Sequence, residues 1–309
     1  DGGAGTDTVM VDSIADAATV TLASSYNLSN VENLQVAAAA TATYTVNASG
    51  QAGLEKIAVV ENATSGNVTL SNLAADVSVE LQNSVNAVDI DTVTVSLLDA
   101  TGSADALDVT LKGTAGHGTD NDVADLAFSN IETLNITSAY MGTTALGAAE
   151  ANDISDISAD TSLTKITVSG TEKTILSVGS EASNLATVDA SAAADDFTVD
   201  ISAFAASSTV TGGAGNDTFT MGTRLAAGDS VDGGGNRTVA GDTLTAVVTG
   251  LTATTGVLSI ANVENVDLTN NGTAVLNVAA VTGTSAINLF ATSDTTTVNG
   301  IGSNHTIGL

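Results

Sequence analysis

Aliphatic and small polar residues alternate along this chain in short runs. Asp16–Leu22, Gly66–Leu70, Val77–Leu81, Thr92–Leu97, Leu107–Leu111, Leu134–Thr137, Lys165–Val168 and Phe197–Ile201 each place Val, Ile, Leu or Phe at alternate positions. Successive side chains of a strand point to opposite faces, so each run predicts a half-buried strand of about five residues. Gly, Asn, Asp or Ser bounds each run, and these residues build turns. The remaining Thr, Val, Ser, Asn and Asp also disfavour helix interiors. Only Thr144–Asp156, with Ala145, Leu146, Ala148, Ala149, Glu150 and Ala151, predicts a short helix.

The runs repeat. Ser29–Val36, Ser129–Ile136 and Ala261–Leu268 share the order small, Asn, aliphatic, Glu, polar, aliphatic, polar, aliphatic. A further strand follows each, at Lys56–Val59, Lys165–Val168 and Ile287–Leu289, and related segments precede them at Gly5–Val11, Gly102–Val109 and Gly241–Val247. Three β modules follow, near 1–99, 100–211 and 212–309. The first opens on a Gly-rich turn, the second has longer loops and the helix candidate, and the third begins with Gly-Asp turns. Stacked rungs of this kind bury a ladder of aliphatic side chains between neighbours. The predicted fold class is all-β, a parallel β-solenoid with β-roll-like turns, with sandwich packing of some strands left open. Absence of proline and scarcity of hairpin turn pairs favour the solenoid.

Composition then restricts the chemistry. Of 309 residues, 35 are Asp or Glu and 6 are Lys or Arg, a formal net charge of −29. Hydrophobic residues make up 43%, too many for a disordered acidic tail, while aromatics make up 3%, so the core is aliphatic. So few basic residues cannot neutralise the phosphates of a nucleic acid. No apolar run is long enough for a membrane-spanning helix, so no transmembrane segment is expected. The first thirty residues lack a secretory signal pattern, and zero Cys removes disulfides and thiol chemistry. A compact body this acidic repels itself unless cations neutralise part of the charge.

Gly2–Met10 and Gly212–Thr220 both match Gly-Gly-x-Gly-x-Asp-x-(aliphatic or Phe)-x. This nonapeptide is a calcium-binding turn of parallel β-helices. Gly3, Gly5, Gly213 and Gly215 allow the backbone to aim carbonyls at an ion, and Asp7 and Asp217 add carboxylates. Calcium prefers six to eight hard oxygen ligands and tolerates irregular geometry. One nonapeptide supplies half a shell, so facing turns are needed. Asp229, Asp232 and Asp242 lie in Gly-Asp turns downstream of Asp217. Gly233-Gly234 starts 21 residues after Gly212-Gly213, against about 18 for two ideal nonapeptides, which predicts an insertion at Asn236–Ala240. A small number of Ca2+ ions is expected around 212–242. The first motif starts at Asp1 in the phase of Asp232-Gly-Gly without an upstream partner turn, which implies a longer parent chain.

These nonapeptides, joined to the Asn-Val-Glu-Asn-Leu and Asn-Ile-Glu-Thr-Leu strands, resemble the RTX-type surface-layer (S-layer) proteins of bacteria. The Thr/Ala/Val-rich, Cys-free, base-poor composition is similar across essentially the whole chain. The resemblance implies type I secretion, an extracellular place on the bacterial cell surface, and assembly with calcium into a two-dimensional lattice of copies of the same chain. It further implies a cell-surface anchor such as lipopolysaccharide, bound through a region outside this chain. RTX arrays usually carry more full motifs than the two here. A stalk segment of a large RTX adhesin and the non-catalytic part of a secreted RTX hydrolase are the alternative readings.

Other acidic groups are less specific. Asp120-Asn-Asp122 with Asp125 begins like a calcium loop but lacks the Gly and distal Glu of an EF-hand. Asp89 with Asp91, and Asp195 with Asp196, read as surface charge. The two histidines, His117 and His305, lie in Gly-rich polar loops, and no His-Glu-x-x-His or Gly-x-Ser-x-Gly occurs. A glycosidase carboxylate pair usually comes with aromatic sugar platforms, and the chain has no Trp and three Tyr. The expectation is a structural protein and not an enzyme.

Overall fold

The computed structural model describes residues 1–14, 18–21, 28–38, 43–51, 53–61, 66–83, 90–113, 122–141, 150–203, 207–223, 225, 228–249, 258–284, 286–291, 295–301 and 306–308. They form a parallel β-solenoid of about ten turns, with no helix among them. Two compact units divide the chain: Asp1–Leu163 with Thr171–Ile175, and Thr164–Gly170 with Leu176–Leu309.

In the first unit one sheet runs Thr8–Ile14, Asn33–Ala38, Lys56–Glu61, Ser78–Asn83, Ala106–Gly113 and Thr133–Tyr140. The strands between them in sequence form a second sheet: Ala18–Thr21, Tyr44–Asn47, Val68–Leu73, Ile90–Leu97, Asp122–Phe128 and Asn152–Ala159. In the second unit one sheet contains Lys165–Gly170, Thr187–Ala193, Thr209–Thr211, Ser230–Asp232, Ser259–Ala261 and Val281–Thr282. The other contains Phe197–Asp200, Thr218–Gly222, Thr243–Val248, Asn265–Asn270, Ala286–Ala291 and Thr306–Gly308.

Alternation fixes the register. Leu34, Ile57, Val79, Val109 and Ile136 pair in succession across the first unit, and none is more than 1% exposed. In the second unit Val199, Phe219, Leu244, Val266 and Ile287 form the equivalent ladder, again with at most 1% exposure. A slip of one residue would turn every one of these side chains to the opposite face. Parallel sheets are usually apolar on both faces. Here Thr, Asn and Asp cover the outer one, which explains why strict alternation marks these strands. Beside the first ladder, Val36, Val59, Leu81 and Leu111 end on the buried Ser138, whose Oγ accepts a 2.7 Å hydrogen bond from Asn152 Nδ2.

The helix expected over Thr144–Asp156 is not formed where the structure describes it. Asn152–Ala159 is instead a strand parallel to Asp122–Phe128, and residues 142–149 lie outside the described residues. Ile154 and Ile157 both point into the core at 0% exposure, with Ser155 and Asp156 outward between them. The same two-residue interruption recurs in register at Ile90/Val93 and Val123/Leu126. A spacing of three between apolar residues reads as helical, but here it marks an aligned irregularity in three stacked strands.

The ladder makes a direct prediction. Leu134→Ala, which opens a cavity between Leu107 and its neighbours, should cost about 2–5 kcal/mol in urea denaturation. Asn135→Ala, which removes an exposed 2.7 Å hydrogen bond to Asp108, should cost about 1 kcal/mol or less.

Candidate metal centre

The corner from Gly212 to Asp217 joins Thr209–Thr211 to Thr218–Gly222. The carboxylate of Asp217, 1% exposed, accepts the Phe197 N–H at 2.7 Å on Oδ1 and the Gly213 N–H at 2.6 Å on Oδ2. The Asp217 N–H itself donates to Asp242 Oδ1 at 2.6 Å. Asp242, fully buried, donates its own N–H to Glu264 Oε2 at 2.8 Å. Three successive turns are thus tied by carboxylates, each holding the N–H of the turn before it.

Glycine is required here by space. A Cβ on Gly212 would collide with Asp217 Oδ2 and Gly233 O, and one on Gly233 with Asp242 Oδ2 and Asn262 O. Gly233 and Asp242 therefore repeat the relation of Gly212 to Asp217, although Asn236–Ala240 separates them. Gly213 packs against Ala193 O and Gly215 against the backbone of Asp196. The inserted residues fold back over earlier rungs: Arg237 donates to Asp195 Oδ1 at 2.6 Å and to Ala194 O at 2.9 Å. Asp196 Oδ1 accepts the Asn216 N–H at 2.8 Å. Asp195 and Asp196 thus belong to the corner, a correction to their reading as plain surface charge.

The corner is rich in oxygen and strongly acidic. Burial pushes the Asp217 carboxyl up to about 6; the N–H bonds from Phe197 and Gly213 oppose the rise, and the charges of Asp196 and Asp195 add to it. Burial also pushes Asp242 up to about 7; the Asp217 N–H opposes, and Asp217, Glu264 and Asp196 add. Asp242 Oδ2 is buried without a hydrogen-bond partner. Beside it stand the Asn262 carbonyl and the side-chain-free backbone of Gly233. An orphaned carboxylate oxygen facing a carbonyl fits a hard divalent cation, which takes oxygen ligands of both kinds. No group of three or more carboxylate, imidazole or thiol side chains gathers at one point among the described residues. Backbone carbonyls must therefore supply most of any shell.

The first motif has the same local design. Asp1 Oδ1 accepts Gly3 N–H at 3.1 Å and Asn30 Nδ2 at 2.8 Å. Asp232 Oδ1 accepts Gly234 N–H and Asn262 Nδ2 at the same two distances, 3.1 and 2.8 Å. Gly3 and Gly5 have φ of +91° and +128° with open space around them, so conformation demands glycine there. Asp7 donates its N–H to Glu32 Oε2 at 2.8 Å, and its Oδ2 is buried without a hydrogen-bond partner. Asp229 serves the opposite edge: it is 3% exposed, precedes the strand Ser230–Asp232, and accepts the Ser208 N–H at 2.9 Å. The structure thus brings together Gly213, Gly215, Asp217 and Asp242, sets Asp232 at the entrance to their corner, and places Asp229 away from it. Asp120, His117, His305 and the Asp122 side chain lie outside the described residues. The glutamates Glu32, Glu132 and Glu264 emerge only from the structure; their signal in the sequence was their fixed place two residues after a recurrent Asn.

No known protein family, curated protein or solved structure matches this chain. The corner's own electrostatics lead to a measurable pH dependence. In the unfolded chain Asp217 and Asp242 titrate near the ordinary aspartate value of about 3.9. With folded values raised to about 6 and about 7, the native state holds more protons across that interval, and stability falls as pH rises. The contribution is complete below about pH 4 and lost as pH passes through those two values. In chelator, the melting temperature should drop by about 5 °C between pH 5 and pH 8, and Asp242→Asn should flatten the upper part of that drop.

Proposed function

We propose that this chain is a structural segment of a calcium-stabilised extracellular β-solenoid, a subunit of a bacterial S-layer lattice. One observation carries the calcium part of the reading: Asp242 Oδ2 is buried, unpartnered and surrounded by the charges of Asp217, Glu264 and Asp196. Bound calcium supplies positive charge and accepts oxygen ligands in an irregular shell. Asp242 Oδ2 with the Asn262 carbonyl, and Asp7 Oδ2 with the Asn30 carbonyl, are the oxygens that would hold it. Asp217, whose two oxygens already hold N–H groups, positions the turn. Gly213 and Gly215 admit the close backbone approach.

The lattice part of the reading rests on the charge and on the absence of a catalytic motif. A charge of −29 with only 6 basic residues makes contact between copies unfavourable until cations lie between them. Outward Asp and Asn side chains on stacked strands, such as Asp108 beside Asn135 and Asp267 beside Asn288, offer oxygen-rich faces for such bridging. Partners are then further copies of the chain, with a cell-surface anchor such as lipopolysaccharide held by another region. No helix among the described residues is long and apolar enough to cross a membrane.

Calcium at one hundred times its dissociation constant should stabilise the chain by about 2.7 kcal/mol per site, a rise in melting temperature of roughly 5 °C or more. Asp242→Ala should abolish most of that rise. Light scattering and electron microscopy should show ordered sheets with calcium that disperse in EGTA. Identical melting curves in millimolar calcium and in EGTA would overturn the calcium mechanism. Calcium-stabilised chains that stay monomeric at high concentration would overturn the lattice.

A further inference from the structure

The recurrent Asn-aliphatic-Glu segments form the same local turn in all three copies, leading into one sheet in the first two and into the other sheet in the third. The segments 30–32, 130–132 and 262–264 lead directly into Asn33–Ala38, Thr133–Tyr140 and Asn265–Asn270, and the strand-to-strand connection is four residues in the second copy and three in the third. Asn30, Asn130 and Asn262 have φ of 53°, 55° and 52°, a left-handed conformation that Asn tolerates better than most residues. Val31, Ile131 and Val263 are buried at 4%, 0% and 0% exposure. Glu32, Glu132 and Glu264 accept the N–H groups of Asp7, Asp105 and Asp242, each at 2.8 Å.

Within the Gly-rich corner that duty falls to aspartate. Asp217 holds the Phe197 N–H and Asp242 holds the Asp217 N–H. The turns that carry these aspartates are longer, spanning 212–217 and 233–242 between strands. The turns of three and four residues at 262–264 and 129–132 cut the corner short, and a carboxylate there needs the extra methylene of Glu to reach the same N–H. The short turn meanwhile buries a Val or Ile side chain, where the Gly-rich turn buries Gly213 and Gly215.

We propose that the Asn-aliphatic-Glu turn is the closing unit of a Gly-Asp cation corner. It supplies the last carboxylate cap without an ion and fills the place where a further ion would sit, so its position sets how many cation sites a column holds. Glu32, Glu132 and Glu264 are positioning residues in this role. The inference rests on the calcium reading and specifies where each column ends.

The test replaces Asn262–Glu264 in the full chain with the six residues found at 212–217, and counts bound Ca2+ by equilibrium dialysis. The exchanged chain should bind one more ion than wild type; an unchanged count in a folded chain overturns the proposal. Amide exchange at Asp242, measured in EGTA, provides the second arm. Glu264→Ala and Glu264→Asp should each speed it by roughly tenfold or more, the loss of a charge-assisted hydrogen bond, while Glu264→Gln retains most protection. Unaltered exchange in Glu264→Ala overturns the closing role even if the exchanged chain does not fold. Wild type that binds no calcium instead defeats the calcium reading, and exchange at Asp242 alone then decides whether Glu264 closes the corner.

Discussion

A backbone N–H at the start of a strand, buried beside the aliphatic core, must find an acceptor. In this solenoid the acceptor is repeatedly a carboxylate from the following turn. Leaving such a donor unpaired costs about 1–3 kcal/mol, and a charged acceptor makes the bond stronger than a neutral one. The corners of a stacked coil concentrate these orphans, because the chain turns sharply there and leaves the sheet ladder. Asp217, Asp242, Glu264, Glu32, Glu132 and Asp229 each answer one of them. The acidity of the chain is thus partly a requirement of the fold, and it leaves the corners short of positive charge.

Basic residues relieve little of that shortage, and where they occur they are concentrated. Two of the four lysines, Lys56 and Lys112, converge on Glu80 at 3.3 and 2.9 Å. Burial alone would push the Glu80 carboxyl up, but hydrogen bonds from Lys112 and Gln82, with both lysine charges, hold it below its ordinary value. Arg237 bridges to Asp195 and Ala194 at the Gly-rich corner. No comparable cation faces Asp242 Oδ2 among the described residues.

Much of the architecture was readable from local pattern. Leu134 and Ile136, or Ile166 and Val168, alternate with polar neighbours because only one face of each strand is buried, and the structure buries those side chains. The Gly-Gly-x-Gly-x-Asp motifs identified two corners, and the Gly233–Asp242 turn could be recognised with its insertion. The helix expected over Thr144–Asp156 rested on its run of Ala, Leu and Glu, residue types of high helix propensity, and its described end is instead drawn into the strand Asn152–Ala159 by pairing with Asp122–Phe128. The glutamates stood at a fixed place in the repeat, but their capping role was hidden for a different reason. Glu32 serves Asp7 and Glu264 serves Asp242, 25 and 22 residues earlier, and only the rise from one coil to the next brings such partners together. Arg237 and Asp195 are 42 residues apart and escaped notice on the same ground.

Most of the capping bonds share one direction along the chain, the Asn216 N–H on Asp196 being an exception. Phe197, Ser208, Asp217 and Asp242 are each completed by a residue that follows them, as are Asp7 and Asp105. A coil therefore cannot finish its own edge; it waits for its successor. Whenever the chain is made or threaded from its N-terminus, the newest coil is always the loosest, and order spreads backward from each arrival.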